Sequence, residues 1–183
     1  MEATKTNHIQ KVLKYFLLIL AGSILLTISA KIKIPFYPVP MTMQTFVVIF
    51  LGMAFGYKIA LATVSLYIFE GIIGFPVFSN SPEKGVGLSY FMGPTMGYLI
   101  GFLVATFISG FLSLNTNIFK IFLKLMMSVS TIYILGILWL GTLIGWDKPI
   151  FQLGAAPFLL AELFKMIILT LLAKKIITLR KFI

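Results

Sequence analysis

The sequence predicts an all-α, polytopic membrane protein: six transmembrane helices forming a single integral membrane domain over 1–183. Three observations carry this. Hydrophobic residues make up 60% of the chain and charged ones only 11%, against about 25% charged in a soluble domain. Mean hydropathy is +1.05. Apolar runs approaching the roughly 20 residues of a spanning helix recur along the chain, separated by Pro-, Gly- and Lys-containing breaks.

Helix one is expected at about 12–30. Lys5, Lys11 and Lys14 precede it as in a secretion signal. The apolar stretch is too long for a signal and lacks a small-x-small cleavage site, so it reads as a span. Pro35, Pro38 and Pro40 then exclude a regular helix from 31–40. Helix two, about 41–56, is short for a full crossing. A tight Gly56-Tyr57-Lys58 turn leads into helix three, about 59–74. The stretch 75–93, rich in Gly, Pro, Ser and Asn, reads as irregular. Helix four, about 94–112, has Pro94 in its first turn. A polar turn at 114–119 precedes helix five, about 120–145. Trp146-Asp147-Lys148-Pro149 ends that helix, 151–156 reads as a short interfacial segment, and helix six spans about 157–177.

Six crossings put both termini on one side. Lys5, Lys11, Lys14, Lys58, Lys120, Lys124, Lys174, Lys175, Arg180 and Lys181 fall there, ten of the fifteen basic residues. The bias of Lys and Arg toward the cytoplasm makes this the cytoplasmic side of a cell membrane. The Pro/Gly loops 31–40 and 75–93 then face outward, where they are placed to form a lid. The net charge of +10 is explained by these flanking lysines, without nucleic acid.

The inventory argues against catalysis. There is no Cys and one His. His8 sits in a polar tail, where no metal site is expected. No H-E-x-x-H, G-x-S-x-G, paired intramembrane Asp or G-x-x-x-x-G-K-[ST] pattern occurs. No cofactor is expected, and any ATP hydrolysis would belong to another chain.

Charge at membrane depth is costly and points to a partner or a task. Glu162 and Lys165, three apart in helix six, share a helix face in its outer half. They read as ligands for a polar solute, as an intrahelical ion pair, or as side chains that snorkel to an interface. Glu70 ends helix three, also near the outer face, where lining a cavity, capping a loop and carrying protons are all open. Gln44 and Thr45 open helix two, as caps or as hydrogen-bonding partners of a neighbouring helix. Ala21, Gly22, Ser23, Thr27 and Ala30 give helix one a small-residue surface, suited to internal packing or to a partner protein.

Four segments occur in order: PVPMTMQT at 38–45, GIIGFPVF at 71–78, GPTMGYLIGF at 93–102, and Pro157-Phe158-x-x-x-Glu162-x-x-Lys165. Together they resemble the BioY family, the substrate-capture (S) components of energy-coupling-factor (ECF) biotin transporters. The resemblance implies an ECF S-component-like bundle that takes up biotin from outside. It also implies a transmembrane coupling protein and cytosolic ATPases as partners, although family members are also proposed to work without a dedicated ATPase. By position, Glu162 and Lys165 occupy the family's Asp-x-x-Lys ligand pair, with Glu one methylene longer. Asn80 falls where the family has a loop ligand. Met96 replaces a glycine of the Gly-Pro-Thr-Gly-Gly-Tyr pattern, and the small-x-x-x-small docking pattern of helix one is only loosely present.

Biotin offers an apolar bicycle and tail, a ureido group with two N–H donors and a carbonyl, and a carboxylate. Glu162 can accept from the ureido group. Lys165 can donate to the ureido carbonyl or pair with the carboxylate. Asn80 and Gln44 can do both, and Tyr37, Tyr90 or Tyr98 can pack on the rings. The remaining alternatives are an S component for another vitamin, with cationic thiamine disfavoured by Lys165, or a structural membrane protein without a solute.

Overall fold

The structure, a computed structural model, describes residues 2–113 and 115–182, with side chains described from residue 9 to 181 except at 114. His8, and Leu114 at the start of the expected 114–119 turn, fall outside the described side chains. The chain runs α1 (Glu2–Lys31), β1 (Lys33–Ile34), β2 (Met41–Thr42), α2 (Gln44–Ile72), α3 (Gly87–Phe91), α4 (Met96–Phe111), α5 (Ile118–Ile144), α6 (Ile150–Gly154) and α7 (Leu159–Thr178). One 3-10 turn, Ala156–Phe158, precedes α7 and another, Leu179–Phe182, follows it.

By length and composition, Ile9–Lys31, Gln44–Ile72, Ile118–Ile144 and Ile150–Lys181 can each cross a membrane, and Met96–Phe111 is a shorter apolar helix. α2 counts twice. Gly56 leaves the helical region, at φ 72° and ψ 167°, and Gln44 Nε2 donates to the Tyr67 hydroxyl at 2.8 Å. In one straight helix those residues would lie about 35 Å apart at 1.5 Å per residue. The chain therefore doubles back at Gly56 into antiparallel arms, 44–55 and 57–72. The six rods are α1, the two arms of α2, α4, α5 and α7. The expected three-residue turn at 56–58 contracts to the single Gly56, which alone supplies the positive φ that other residues avoid.

Several boundaries differ from expectation. α1 begins at Glu2 and not near 12, α4 starts two residues beyond Pro94, and α5 starts at Ile118. That last start is set by the Asn117 side chain, which accepts from Lys120 N at 2.9 Å as an N-cap. Helix six opens as a 3-10 turn around Pro157, and the interfacial segment is the short α6. The segment 75–93 is not wholly irregular, since α3 lies inside it. The Pro-rich turn is closed by β1 and β2, antiparallel with Lys33 opposite Thr42.

Close packing depends on glycines of α4. A Cβ on Gly97 would fall 2.4 Å from Leu135 O, and one on Gly101 2.6 Å from Ile132 Cα. α4 therefore presses backbone to backbone on α5, as small residues permit in membranes. The close approach starts at Gly97, so Met96 in the preceding position does not obstruct it.

The loops 31–40 and 75–93 are fastened to each other. Lys31 Nζ donates to Phe78 O (2.7 Å) and Ser81 O (2.6 Å). Lys33 Nζ donates to Ser79 O (2.7 Å) and Asn80 Oδ1 (3.1 Å). Lys84 Nζ lies 5.6 Å over the Tyr37 ring. Beneath this clasp Phe78 stacks on Tyr90 at 5.4 Å and fills the notch left by Gly71, where a Cβ would meet its ring.

Candidate functional site

Under the clasped loops, at the end of the bundle away from the termini, lies a cavity of about 50 Å³. The walls come from several elements. Thr42, Gln44 and Thr45 enter from β2 and the start of α2, and Tyr67 from its second arm. Phe78, Ser79 and Tyr90 form the roof. Tyr98 and Phe102 line it from α4, Ile132 and Tyr133 from α5, and Phe158 and Glu162 from the last span. Most of this lining is apolar or aromatic, with a few polar groups converging, as in small-molecule sites generally. This space is well below the roughly 300 Å³ at which such sites begin, so a larger ligand requires the surrounding side chains or loops to move apart.

The polar centre is Glu162. Its Oε1 accepts from Lys165 Nζ (2.8 Å), Thr45 Oγ1 (2.8 Å) and Tyr133 OH (3.1 Å). Its Oε2 is buried and has no hydrogen-bond partner among the described residues. A buried carboxylate oxygen left without a donor is costly, and a ligand N–H relieves that cost. The carboxylate is thus oriented by three donors on one oxygen and keeps the other as an acceptor.

Lys165 is fully committed. Its ammonium also donates to Thr42 O (2.7 Å) and Thr45 Oγ1 (3.0 Å), so its three donors match three acceptors. Glu162 is 3% exposed and Lys165 5%, which excludes snorkelling. The pair is an intrahelical ion pair, with Glu162 on the cavity wall and Lys165 behind it.

Of the other residues singled out in the sequence, Gln44 lies on the cavity, its side chain fixed by Tyr67 and by Thr42 Oγ1, which donates to Gln44 Oε1 at 3.2 Å. Tyr98 presents its ring to the cavity, while its hydroxyl donates to Gly154 O at 2.8 Å and ties α4 to α6. The Asn80 side chain is turned to Lys33 and its backbone N–H donates to Tyr90 OH at 3.1 Å. Its neighbour Ser79 lines the cavity instead. Tyr37 is 83% exposed on the outer surface. Glu70 accepts from Ser23 Oγ across the α1–α2 contact, away from the cavity.

Sequence reasoning passed over Tyr133, Tyr67 and Phe158. A signal existed for Tyr133: a tyrosine deep in an apolar helix needs a partner for its hydroxyl. Its partner is 29 residues away, which periodicity does not reveal.

Residues 2–182 match the model of the BioY family. The chain is 32% identical over 152 residues to the probable biotin transporter BioY of Pyrococcus horikoshii, covering 83% of this chain and 89% of that one. It is 33% identical over 153 residues to the biotin transporter BioY of Thermotoga maritima, with the same two coverages. Its fold matches the crystal structure of the S-component for biotin from an ECF-type ABC transporter. The TM-score is 0.74 at 22% sequence identity, over 91% of this chain and 92% of the other.

Proposed function

This chain belongs to the BioY family, and on that premise we propose that it is a biotin-capturing membrane subunit that delivers the vitamin from outside to the cytoplasm. The observation that carries the reading to particular atoms is the unpartnered Glu162 Oε2 in a largely aromatic cavity. A ureido N–H is the complement of that oxygen. The apolar bicycle fits among Phe78, Tyr98 and Phe158, with Gln44 beside it to donate or accept. Lys165, with its donors used internally, orients Glu162 rather than reaching for the ligand. Asn80 enters when the roof is lifted, because the lysine that holds it belongs to the clasp.

Partners belong to the same proposal: an ECF coupling protein and cytosolic ATPases, which carry any ATP chemistry. The excess of Lys and Arg at the terminus-bearing end supports a cytoplasmic placement of both termini. α1 packs chiefly on α2 and leaves Ile9, Val12, Leu13, Phe16 and Leu17 exposed, a surface available to lipid or to the coupling protein.

The test is a thermal-shift titration of the purified chain in detergent. Biotin raises the midpoint saturably, desthiobiotin raises it because it keeps the ureido group, and riboflavin does not. No shift with biotin, or an equal one with riboflavin, overturns the reading.

Tyr133→Phe tests the orienting contacts. It removes one donor from Glu162 Oε1 without removing volume. A hydrogen bond to a charged group contributes about 1.5 kcal/mol, so biotin affinity falls by roughly tenfold with the fold retained. Calorimetric titration showing unchanged affinity would mean that Tyr133 does not set the carboxylate's orientation.

A further inference from the structure

A second cavity, of about 490 Å³, opens at the opposite end of the bundle, between α1, the Gly56 turn, the end of α4 and the turn after α7. Arg180 forms its inner wall. Its Nε donates to Met53 O (2.8 Å), and Nη2 donates to Gly52 O (3.1 Å) and Gly110 O (3.2 Å). These are carbonyls of the last turns of two helices, which lack intrahelical partners and carry partial negative charge. They fix the guanidinium without neutralising it. Among the described residues no carboxylate bonds to it and Nη1 makes no hydrogen bond.

Lys58 stands exposed at the mouth, its ammonium 6.0 Å over the Tyr57 ring. The remaining walls include Phe55, Ile59 and Phe111, and Phe111 is 65% exposed toward the surroundings of the bundle. The cavity thus joins two unneutralised cations to apolar walls that continue onto the lipid-facing surface. Among the described side chains no acid offsets them: Glu70, Glu83, Asp147 and Glu162 all belong to the other half of the bundle.

We propose that this cavity binds the headgroup of an anionic phospholipid from the leaflet at that end, with phosphate between Arg180 and Lys58 and an acyl chain along Phe55 and Phe111. Basic pockets between membrane helices bind such headgroups, and a guanidinium held in place suits phosphate. A soluble phosphate ester shares the head chemistry but has no use for the apolar walls. The site is independent of the biotin cavity.

Delipidated protein in neutral detergent is incubated with phosphatidylglycerol, phosphatidylcholine or glycerol 3-phosphate, and retained ligand is read by native mass spectrometry. Phosphatidylglycerol is retained in preference to phosphatidylcholine, and glycerol 3-phosphate does not displace it. Lys58→Gln weakens its retention about fivefold, the effect of one basic residue at a membrane surface. Lys120→Gln, at the same end of the bundle but outside the cavity, leaves retention unchanged. Equal retention of the two lipids, equal weakening by Lys120→Gln, or displacement by glycerol 3-phosphate would each overturn the proposal, the last by showing a soluble phosphate site.

Discussion

Glu162→Gln is expected to lower biotin affinity by about two orders of magnitude, the roughly 3 kcal/mol typical when one partner of a buried, charge-assisted contact is lost. The size follows from a forced orientation. In the native chain Lys165, Thr45 and Tyr133 all donate to Oε1. A glutamine must put its carbonyl oxygen there, since an NH2 group would face three donors. Its NH2 then takes the place of Oε2 and points into the cavity. An acceptor for a ureido N–H becomes a donor that opposes it. Lys165 keeps Thr42 O, Thr45 Oγ1 and the amide oxygen as acceptors, so the fold survives and the loss appears in binding. The measurement is calorimetric titration with biotin, paired with a thermal midpoint without ligand. Near-native affinity in a folded variant would show that Oε2 is not where the vitamin's head is read.

The parts of this site that were legible in the sequence are those that local chemistry decides. Two charges three apart in an apolar run share a face and need a partner or a task, which singled out Glu162 and Lys165. A Gly-Tyr-Lys break between two short apolar runs gave the hairpin, even though α2 is helical on both sides of Gly56. What the sequence withheld depends on distant partners. Asn117 caps α5 because of where its side chain turns, and Asn80 faces Lys33 because the loops 31–40 and 75–93 meet. α3 is five residues long, too short to show a period. Two-residue strands such as β1 and β2 leave no alternation to read. Tyr133 reaches Glu162 only because α5 packs on α7.

Lys165→Met carries the second large effect, and its combination with Glu162→Gln separates support from recognition. Removing the ammonium strips Glu162 of its counter-charge in a 3% exposed position. Breaking one side of a buried pair costs about 3–5 kcal/mol, so the thermal midpoint falls further than for Glu162→Gln, and biotin affinity falls by at least a hundredfold because the carboxylate is no longer held. In the double variant both charges are gone, and replacing a buried pair by neutral groups of similar volume is often tolerated. Stability therefore recovers above that of Lys165→Met, with a coupling of about 2 kcal/mol between two residues in contact. Binding does not recover, because Thr45 and Tyr133 still hold the amide oxygen and its NH2 still faces the cavity. Were the pair only a structural tie between α7 and α2, affinity would return together with the midpoint. Recovery of both would assign the vitamin's head to other groups on the cavity wall, with Gln44 the first to examine.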